Sequence, residues 1–559
     1  MIQQGIVQVW NRMWDIHDET KKLLRFFVKP DTTPESMSKT TKPSHNSNTT
    51  GSGGGNNMKN KTRSLNFGQR LGLLLGPTLF IIFMFVIEPA GMTPEARAVL
   101  AGTLWIATWW ITEAIPIPAT SLLPIIIFPL TGALGTKAVT SSYGDPTIFL
   151  FMGGFMIALA MERWNLHKRI ALSIISVIGT STEMIILGFM VATGFLSMWI
   201  SNTATAMMMV PIGMAIIYQI SETSKHNNQE LEKNFGKAIM IAIAYAASIG
   251  GLGTLIGTPP NAIFASQVST LYGVEISFAK WMMFGTPLAA ILLFVAWFYL
   301  VKIAFPLKVK AIPGGKALIR QEKTALGKMS YEEIIVAIVF ALAALSWIFR
   351  DFVINALLES KGIKVDDTMI AILFAVILFI IPARSNKAQN ILDWGNMKDL
   401  PWGILLLFGG GLAIAAGFKG SGLSEWIGNQ LIGLEGLNFF LVILLVTGLV
   451  TFLTEITSNT ATATMMFPIM ASLALALNVH PYALMVAAGL AASCAFMLPV
   501  ATPPNAVVFG SGYLQIKDMA KTGFWINIIS MIIIATLIYF VLPVIWNIDL
   551  NIFPDSFRS

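Results

Sequence analysis

Ser201-Asn202-Thr203-Ala204-Thr205-Ala206, running into Met207-Met208-Met209-Val210-Pro211-Ile212, recurs 257 residues later as Ser458-Asn459-Thr460-Ala461-Thr462-Ala463, running into Thr464-Met465-Met466-Phe467-Pro468-Ile469. Each copy is a small polar tripeptide between apolar arms of roughly 18 residues, with no charged loop to hold it at a water surface. Polar groups placed where two hydrophobic segments meet must be bound to something, because hydrocarbon leaves them no other partner.

The rest of the chain explains how such a motif can exist. Of the 559 residues 55% are hydrophobic and 12% charged, and the mean hydropathy is +0.69, whereas a soluble domain carries about a quarter charged residues. Apolar stretches of about 20 residues, each able to cross a hydrocarbon core of about 30 Å, recur from residue 69 to 546. The composition is that of an all-α polytopic membrane protein. Cys494 is the single cysteine, and His17, His45, His167, His226 and His480 lie outside the repeated motifs without ligand spacing, so neither a disulfide framework nor a metal centre is indicated. The net charge of +7 gathers before the first span (Lys21, Lys22, Arg25, Lys29) and in a central loop (Lys302, Lys308, Lys310, Lys316). That placement orients the chain in a plasma membrane, with a cytoplasmic N-terminus, and does not read as a nucleic-acid surface.

Taken in order, residues 1–30 hold Ile6, Val9, Trp10, Met13 and Trp14 at helical spacing and read as an interfacial amphipathic helix. No continuous apolar run or cleavage site marks a secretory signal. Residues 31–68, with Gly51-Ser52-Gly53-Gly54-Gly55, read as a disordered cytoplasmic linker. Residues 69–305 form a first span and a first repeat, with spans at 69–88, 94–111, 115–131 and 146–163, an apolar hairpin at 182–220, and spans at 238–266 and 278–305. A basic cytoplasmic loop, 306–330, leads to a second repeat over 331–546, with spans at 331–349, 367–382 and 402–418, a hairpin at 437–478, and spans at 481–512 and 522–546. Residues 547–559 are a C-terminal tail outside the cell.

Counting crossings places the two hairpins on opposite faces, and the halves match in register. Phe151, Gly153 and Gly154 correspond to Phe408, Gly410 and Gly411, and Gly257-Thr258-Pro259-Pro260-Asn261-Ala262 to Ala501-Thr502-Pro503-Pro504-Asn505-Ala506. Matching register with opposite orientation is the mark of an inverted repeat with its site near the midplane. The paired prolines break the helix inside an apolar segment, which is tolerated only where backbone lines protein or a cavity. Helices that restart after Ser-Asn-Thr offer hydroxyls, amides and free N–H groups to an anion, and helices that stop before a break offer carbonyls to a hard cation. Residues 238–270 and 481–512 hold no charge, and the hairpins hold only Glu183 and Glu455. A multiply charged anion there needs co-bound cations, one per repeat.

Blander readings apply to single features. A lone Ser-Asn-Thr in a membrane helix is interhelical hydrogen-bond glue; its duplication alongside Thr-Pro-Pro-Asn favours a site. Phe-x-Gly-Gly reads as close helix packing, and Met207 to Met209 as lipid or helix contacts. Glu455 either orients the second site or accepts a backbone bond, and Glu113 is an intramembrane carboxylate without a stated role. A hydrolase is disfavoured because the motif segments contain no His and no Asp beside either Ser-Asn-Thr.

The paired motifs, with Trp110-Ile111-Thr112-Glu113-Ala114-Ile115-Pro116 and Thr454-Glu455-Ile456-Thr457-Ser458-Asn459-Thr460, resemble those of the divalent anion/sodium symporter family over residues 69–546, and most resemble its bacterial sodium-dependent dicarboxylate symporters. The resemblance implies two re-entrant hairpins, broken helices, a homodimer and an elevator-type mechanism. It implies sodium-coupled import of succinate, fumarate or malate, with sodium as the co-transported ion and no organic cofactor. A sodium-independent exchanger and a sodium-coupled sulfate or tricarboxylate carrier are the alternatives. By motif position, Ser201, Asn202 and Gly257 hold one sodium, and Thr454, Thr457, Asn459 and Ala501 the other. Ser201, Asn202, Thr203, Ser458, Asn459, Thr460, Pro259 and Pro503 line the substrate site.

Overall fold

Polar caps punctuate an almost wholly apolar sequence, and they decide where each helix starts. The computed structural model describes residues 67–179, 181–223, 229–307, 315–385, 389–431 and 438–558; the expected interfacial helix, and the linker up to residue 66, lie outside them. The regular elements there are helices, with one isolated bridge between Pro382 and Asn390.

Helix α1 spans Phe67–Ile81 and runs on through one wider turn to Val86; α2 spans Pro94–Thr112 and α3 Leu123–Leu130. The first repeat follows as α4 (Pro146–Arg163), α5 (Leu166–Ile178), α6 (Thr182–Ser197), α7 (Asn202–Thr223), α8 (Gln229–Gly251), α9 (Pro259–Tyr272) and α10 (Phe278–Tyr299). After α11 (Gly315–Ala325), α12 (Tyr331–Phe349) and α13 (Asp367–Ile380), the same order returns: α14 (Trp402–Gly420), α15 (Leu423–Leu431), α16 (Phe439–Thr454), α17 (Asn459–Ala476), α18 (Pro481–Ala492), α19 (Pro503–Phe509) and α20 (Ile516–Phe540). Thr93, Asp145, Ser181, Ser277, Asp366 and Asn438 each accept a backbone N–H of the helix they precede, and Ser330 with Glu333 forms a capping box on α12.

Among the described residues, seven helices are long and apolar enough to cross a membrane. The hairpin arms α6 and α16 have 16 residues each, about 24 Å of helix and short of a full crossing. The expected spans 238–266 and 481–512 are each two helices separated by irregular backbone, and 115–131 divides into Ile117–Thr120 and α3. In both broken segments the prolines sit at the first two positions of the new helix, where a missing N–H costs nothing; the interruption itself is the stretch before them.

Sequence reading passed over α5 and α15. Both are short and amphipathic, so a search for unbroken apolar runs does not register them. Helix α8 is apolar all round from Ala238 to Ala247 and is fully enclosed. Phe-x-Gly-Gly is packing, as expected: the rings of Phe151 and Phe408 lie 5.0 Å apart, and a Cβ at Gly153 would stand 2.8 Å from the Ala371 backbone. Of the methionines in α7, Met207 faces outward and Met209 is buried. The C-terminal tail is docked: the His480 N–H donates to the Leu550 carbonyl, the Phe553 N–H to the Asn478 carbonyl, and Phe557 stacks on Tyr272 with centroids 4.5 Å apart.

Candidate functional site

The turns of both hairpins and both helix breaks open onto one cavity of about 720 Å³. From the first repeat it is lined by Ser201, Asn202, Thr203, Gly257 and Pro259, and from the second by Thr457, Ser458, Asn459, Thr460, Ala501 and Pro503. All the expected site residues therefore meet on one wall system except Thr454, which is fully buried directly behind Asn459. The six residues of the two Ser-Asn-Thr tripeptides are half-buried. Helices α7, α9, α17 and α19 all begin on this wall, so the positive ends of their dipoles and their first N–H groups surround it. Among the described residues no Lys, Arg or His lines the cavity, whereas Glu113 and Glu455 do.

Behind Asn202 lies a group of oxygens short of protons. Ser197 Oγ is 2.5 Å from Asn202 Oδ1 and 2.6 Å from the Ala247 carbonyl oxygen. One hydroxyl proton serves only one of these acceptors. The Gly257 carbonyl lies 3.2 Å from the same amide atom. If the amide is turned over, its nitrogen donates to the Ala247 and Gly257 carbonyls and to Ser197 instead. The nest thus satisfies itself with the nitrogen inward, and with the oxygen inward it presents neutral oxygens to a hard cation such as sodium. A Cβ at Gly251 would stand 2.8 Å from Asn202 Oδ1, so only glycine leaves room for the amide.

The second repeat rebuilds the nest with threonine for serine. Thr454 Oγ1 is 2.7 Å from Asn459 Oδ1 and 2.8 Å from the Ala492 carbonyl, again one proton against two acceptors. Five residues separate hydroxyl from amide in both copies. Ser197 was missing from the sequence-based site, although the 257-residue offset that pairs the Ser-Asn-Thr motifs also carries Thr454 onto Ser197. Thr457 donates to the Leu453 carbonyl and meets Thr462 Oγ1.

The broken backbone is held by side chains that the sequence reading did not single out. Asn261 Nδ2 reaches the carbonyls of Gly251, Leu252 and Thr254 at 3.0, 3.3 and 2.7 Å, and Asn505 Nδ2 reaches those of Ala495 and Leu498 at 3.0 Å each. Each asparagine of Thr-Pro-Pro-Asn therefore staples the break that precedes it. Carbonyls expected to be free for a cation are partly occupied in this way, and Trp281 and Thr286 take those of Leu252 and Gly253. Glu455 does the complementary task in the second break. Its carboxylate accepts the N–H groups of Phe496, Met497 and Leu498 at 2.8, 2.9 and 3.1 Å and the Asn527 amide at 2.7 Å. The backbone-accepting reading of Glu455 is the one observed. Glu113 closes α2 with φ of 46° and lines the cavity beside Gln69, whose amide donates to its carbonyl.

Comparison with known proteins follows the same boundaries. The family described as the sodium:sulfate symporter transmembrane region matches residues 69–547. A protein of Staphylococcus saprophyticus named sodium-dependent dicarboxylate transporter SdcS is 52% identical over 496 residues, covering 88% of this chain and 95% of its own. The protein of the same name from Staphylococcus aureus strain USA300 is 52% identical over 493 residues, covering 88% and 94%. Among solved structures, Neisseria gonorrhoeae MtrF, titled an antimetabolite efflux pump, aligns with a TM-score of 0.51 at 12% identity over 86% of this chain and 96% of that one, a likeness of fold.

Proposed function

This chain belongs to the divalent anion/sodium symporter family, and we propose that it is a plasma-membrane symporter that imports C4-dicarboxylates such as succinate, fumarate and malate together with sodium. The observation that carries the reading is the pair of matched oxygen nests flanking one cavity that is lined by no basic side chain among the described residues. A dianion in such a cavity loses its hydration and faces the carboxyl groups of Glu113 and Glu455 on the lining, and the four helix starts that attract it are too weak alone to hold two charges. Cations in the two nests supply the missing positive charge. The dicarboxylate names of relatives 52% identical over nearly their whole length support the substrate class over sulfate.

In this mechanism Asn202 and Asn459 each turn the amide oxygen toward sodium and the amide nitrogen toward a substrate carboxylate. Ser201, Thr203, Ser458 and Thr460 complete the donors around the two carboxylates, and Pro259 and Pro503 shape the wall between them. Sodium binding organises the site, and the dicarboxylate then binds a neutralised pocket, which couples the two species. The short first arms α6 and α16, of about 24 Å, support re-entrant hairpins, and the repeated element order supports inverted halves moving as an elevator within a homodimer. The cavity reaches Gly68 and Gln69 at the start of α1 and Thr112 and Glu113 at the end of α2. With the basic side cytoplasmic, that is an inward-open arrangement.

Uptake of labelled succinate into proteoliposomes tests the proposal. An inward sodium gradient drives accumulation, and potassium does not replace it. Sodium-independent uptake that requires dicarboxylate loaded inside would establish the exchanger instead.

A further inference from the structure

A second recess, of about 760 Å³, lies away from the substrate cavity, between the end of α10 and the start of α20. Along α20 it is lined by Lys517, Lys521, Trp525 and Ile529, four residues at successive helical turns and so on one face. Tyr299 and Ile303 form the facing wall. Lys517 and Lys521 are exposed, and neither ammonium has a carboxylate partner among the described residues. The acid between them, Asp518, is taken by Lys237 at 2.8 Å, with both side chains only 12% exposed. The rim of the recess is therefore cationic. Further along α20, Trp525 is 51% exposed and Ile529 follows one turn later, so this face of the helix grades from charge through an aromatic ring to an aliphatic side chain. From Lys517 to Ile529 the helix rises about 18 Å, which spans the headgroup level and much of one leaflet's hydrocarbon depth of about 15 Å.

We propose that this recess binds one anionic phospholipid, its phosphate held by Lys517 and Lys521, its glycerol beside Trp525 and Ile303 and an acyl chain against Ile529. Basic pockets between membrane helices suit anionic headgroups, lysines reach headgroups by extending along the interface, and a ring with one wet end belongs at that depth. A soluble anion would use the lysines but leave Trp525 and Ile529 bare. The inference rests on reading α10 and α20 as membrane helices, and is independent of sodium coupling and of the dicarboxylate.

Native mass spectrometry of the full chain in detergent, titrated with phosphatidylglycerol or phosphatidylcholine, reads the binding directly. One basic residue near an anionic headgroup is worth about fivefold in affinity, so Lys517→Gln with Lys521→Gln lowers phosphatidylglycerol affinity by about 25-fold and leaves phosphatidylcholine unchanged. The charge-matched control, Lys137→Gln with Lys361→Gln at exposed positions elsewhere, keeps the preference. Each single variant falls between, and unchanged succinate binding shows that the variants are folded. Glycerol 3-phosphate, the free headgroup, fails to displace the lipid. Equal phosphatidylglycerol affinity in the double variant and the wild type, or displacement by glycerol 3-phosphate as effective as by lipid, overturns the proposal.

Discussion

Under the proposed roles, replacing Asn202 or Asn459 by alanine removes, in one step, an oxygen from a cation nest and a donor from the substrate cavity. In the second nest the lost oxygen is the one 2.7 Å from Thr454 Oγ1, and in the first it is the one 2.5 Å from Ser197 Oγ. Losing a hydrogen bond to a charged group costs about 1.5 to 3 kcal/mol, which corresponds to roughly 10- to 150-fold in affinity. Asn202→Ala and Asn459→Ala each weaken succinate binding by at least about tenfold, and both raise the sodium concentration needed for half-saturation. The combined variant departs strongly from additivity, because both amides act on the same ligand set. Binding of labelled succinate to purified protein, titrated at several sodium concentrations and with monodispersity checked, measures all three. A single variant with near-normal succinate affinity and sodium dependence would refute the two-nest reading and reduce that repeat to packing.

Two further outcomes follow from the surrounding structure. Glu455→Gln offers one oxygen and one donor to a site whose four partners are all donors, so at least one N–H of Phe496 to Leu498 loses its acceptor; the cost of about 1 to 3 kcal/mol appears as faster hydrogen exchange of residues 496–498 and a raised sodium requirement, and unchanged exchange there would contradict the role assigned to the carboxylate. His480 lies ahead of α18, where burial, with the Lys280 charge second, pushes its imidazole down to about 4, and its Nδ1 accepts the Tyr482 N–H. The unfolded imidazole, near 6.5, binds more protons between pH 6.5 and 4, so stability present above pH 6.5 is lost as pH falls, by about 2 kcal/mol at pH 5. Because His480 packs against Phe557, limited proteolysis of the C-terminal tail should quicken from pH 7.5 to pH 5 in the wild type and stay flat in His480→Asn, which keeps a cap acceptor; equal protection of the wild-type tail at both pH values would contradict this.

Much of this was legible because the membrane narrows the choices. Duplicated Ser-Asn-Thr and Thr-Pro-Pro-Asn in apolar surroundings announce helix ends where none should be exposed, and the structure brings both pairs to one cavity. The charge-free flanks also indicated how an anion could be held only with cations. What stayed hidden depends on who reaches whom in space. Asn261 and Asn505 look like motif filler until their amides are seen across the breaks, and Glu455 could be assigned only once the N–H groups of Phe496 to Leu498 were placed around it. Ser197 was hidden differently: a serine inside an apolar arm carries no local signal, and only the comparison with Thr454 exposes it. The amphipathic helices α5 and α15 escaped because half of each surface is polar and neither is long enough to read as a span.

The dependence of succinate binding on sodium tests the central claim most directly, since two nests and no basic side chain leave sodium as the source of neutralising charge. Equilibrium binding of labelled succinate to purified protein across a sodium titration at constant ionic strength should rise with a Hill coefficient above one and vanish when potassium or choline replaces sodium. Succinate binding of equal affinity in the absence of sodium would contradict the account.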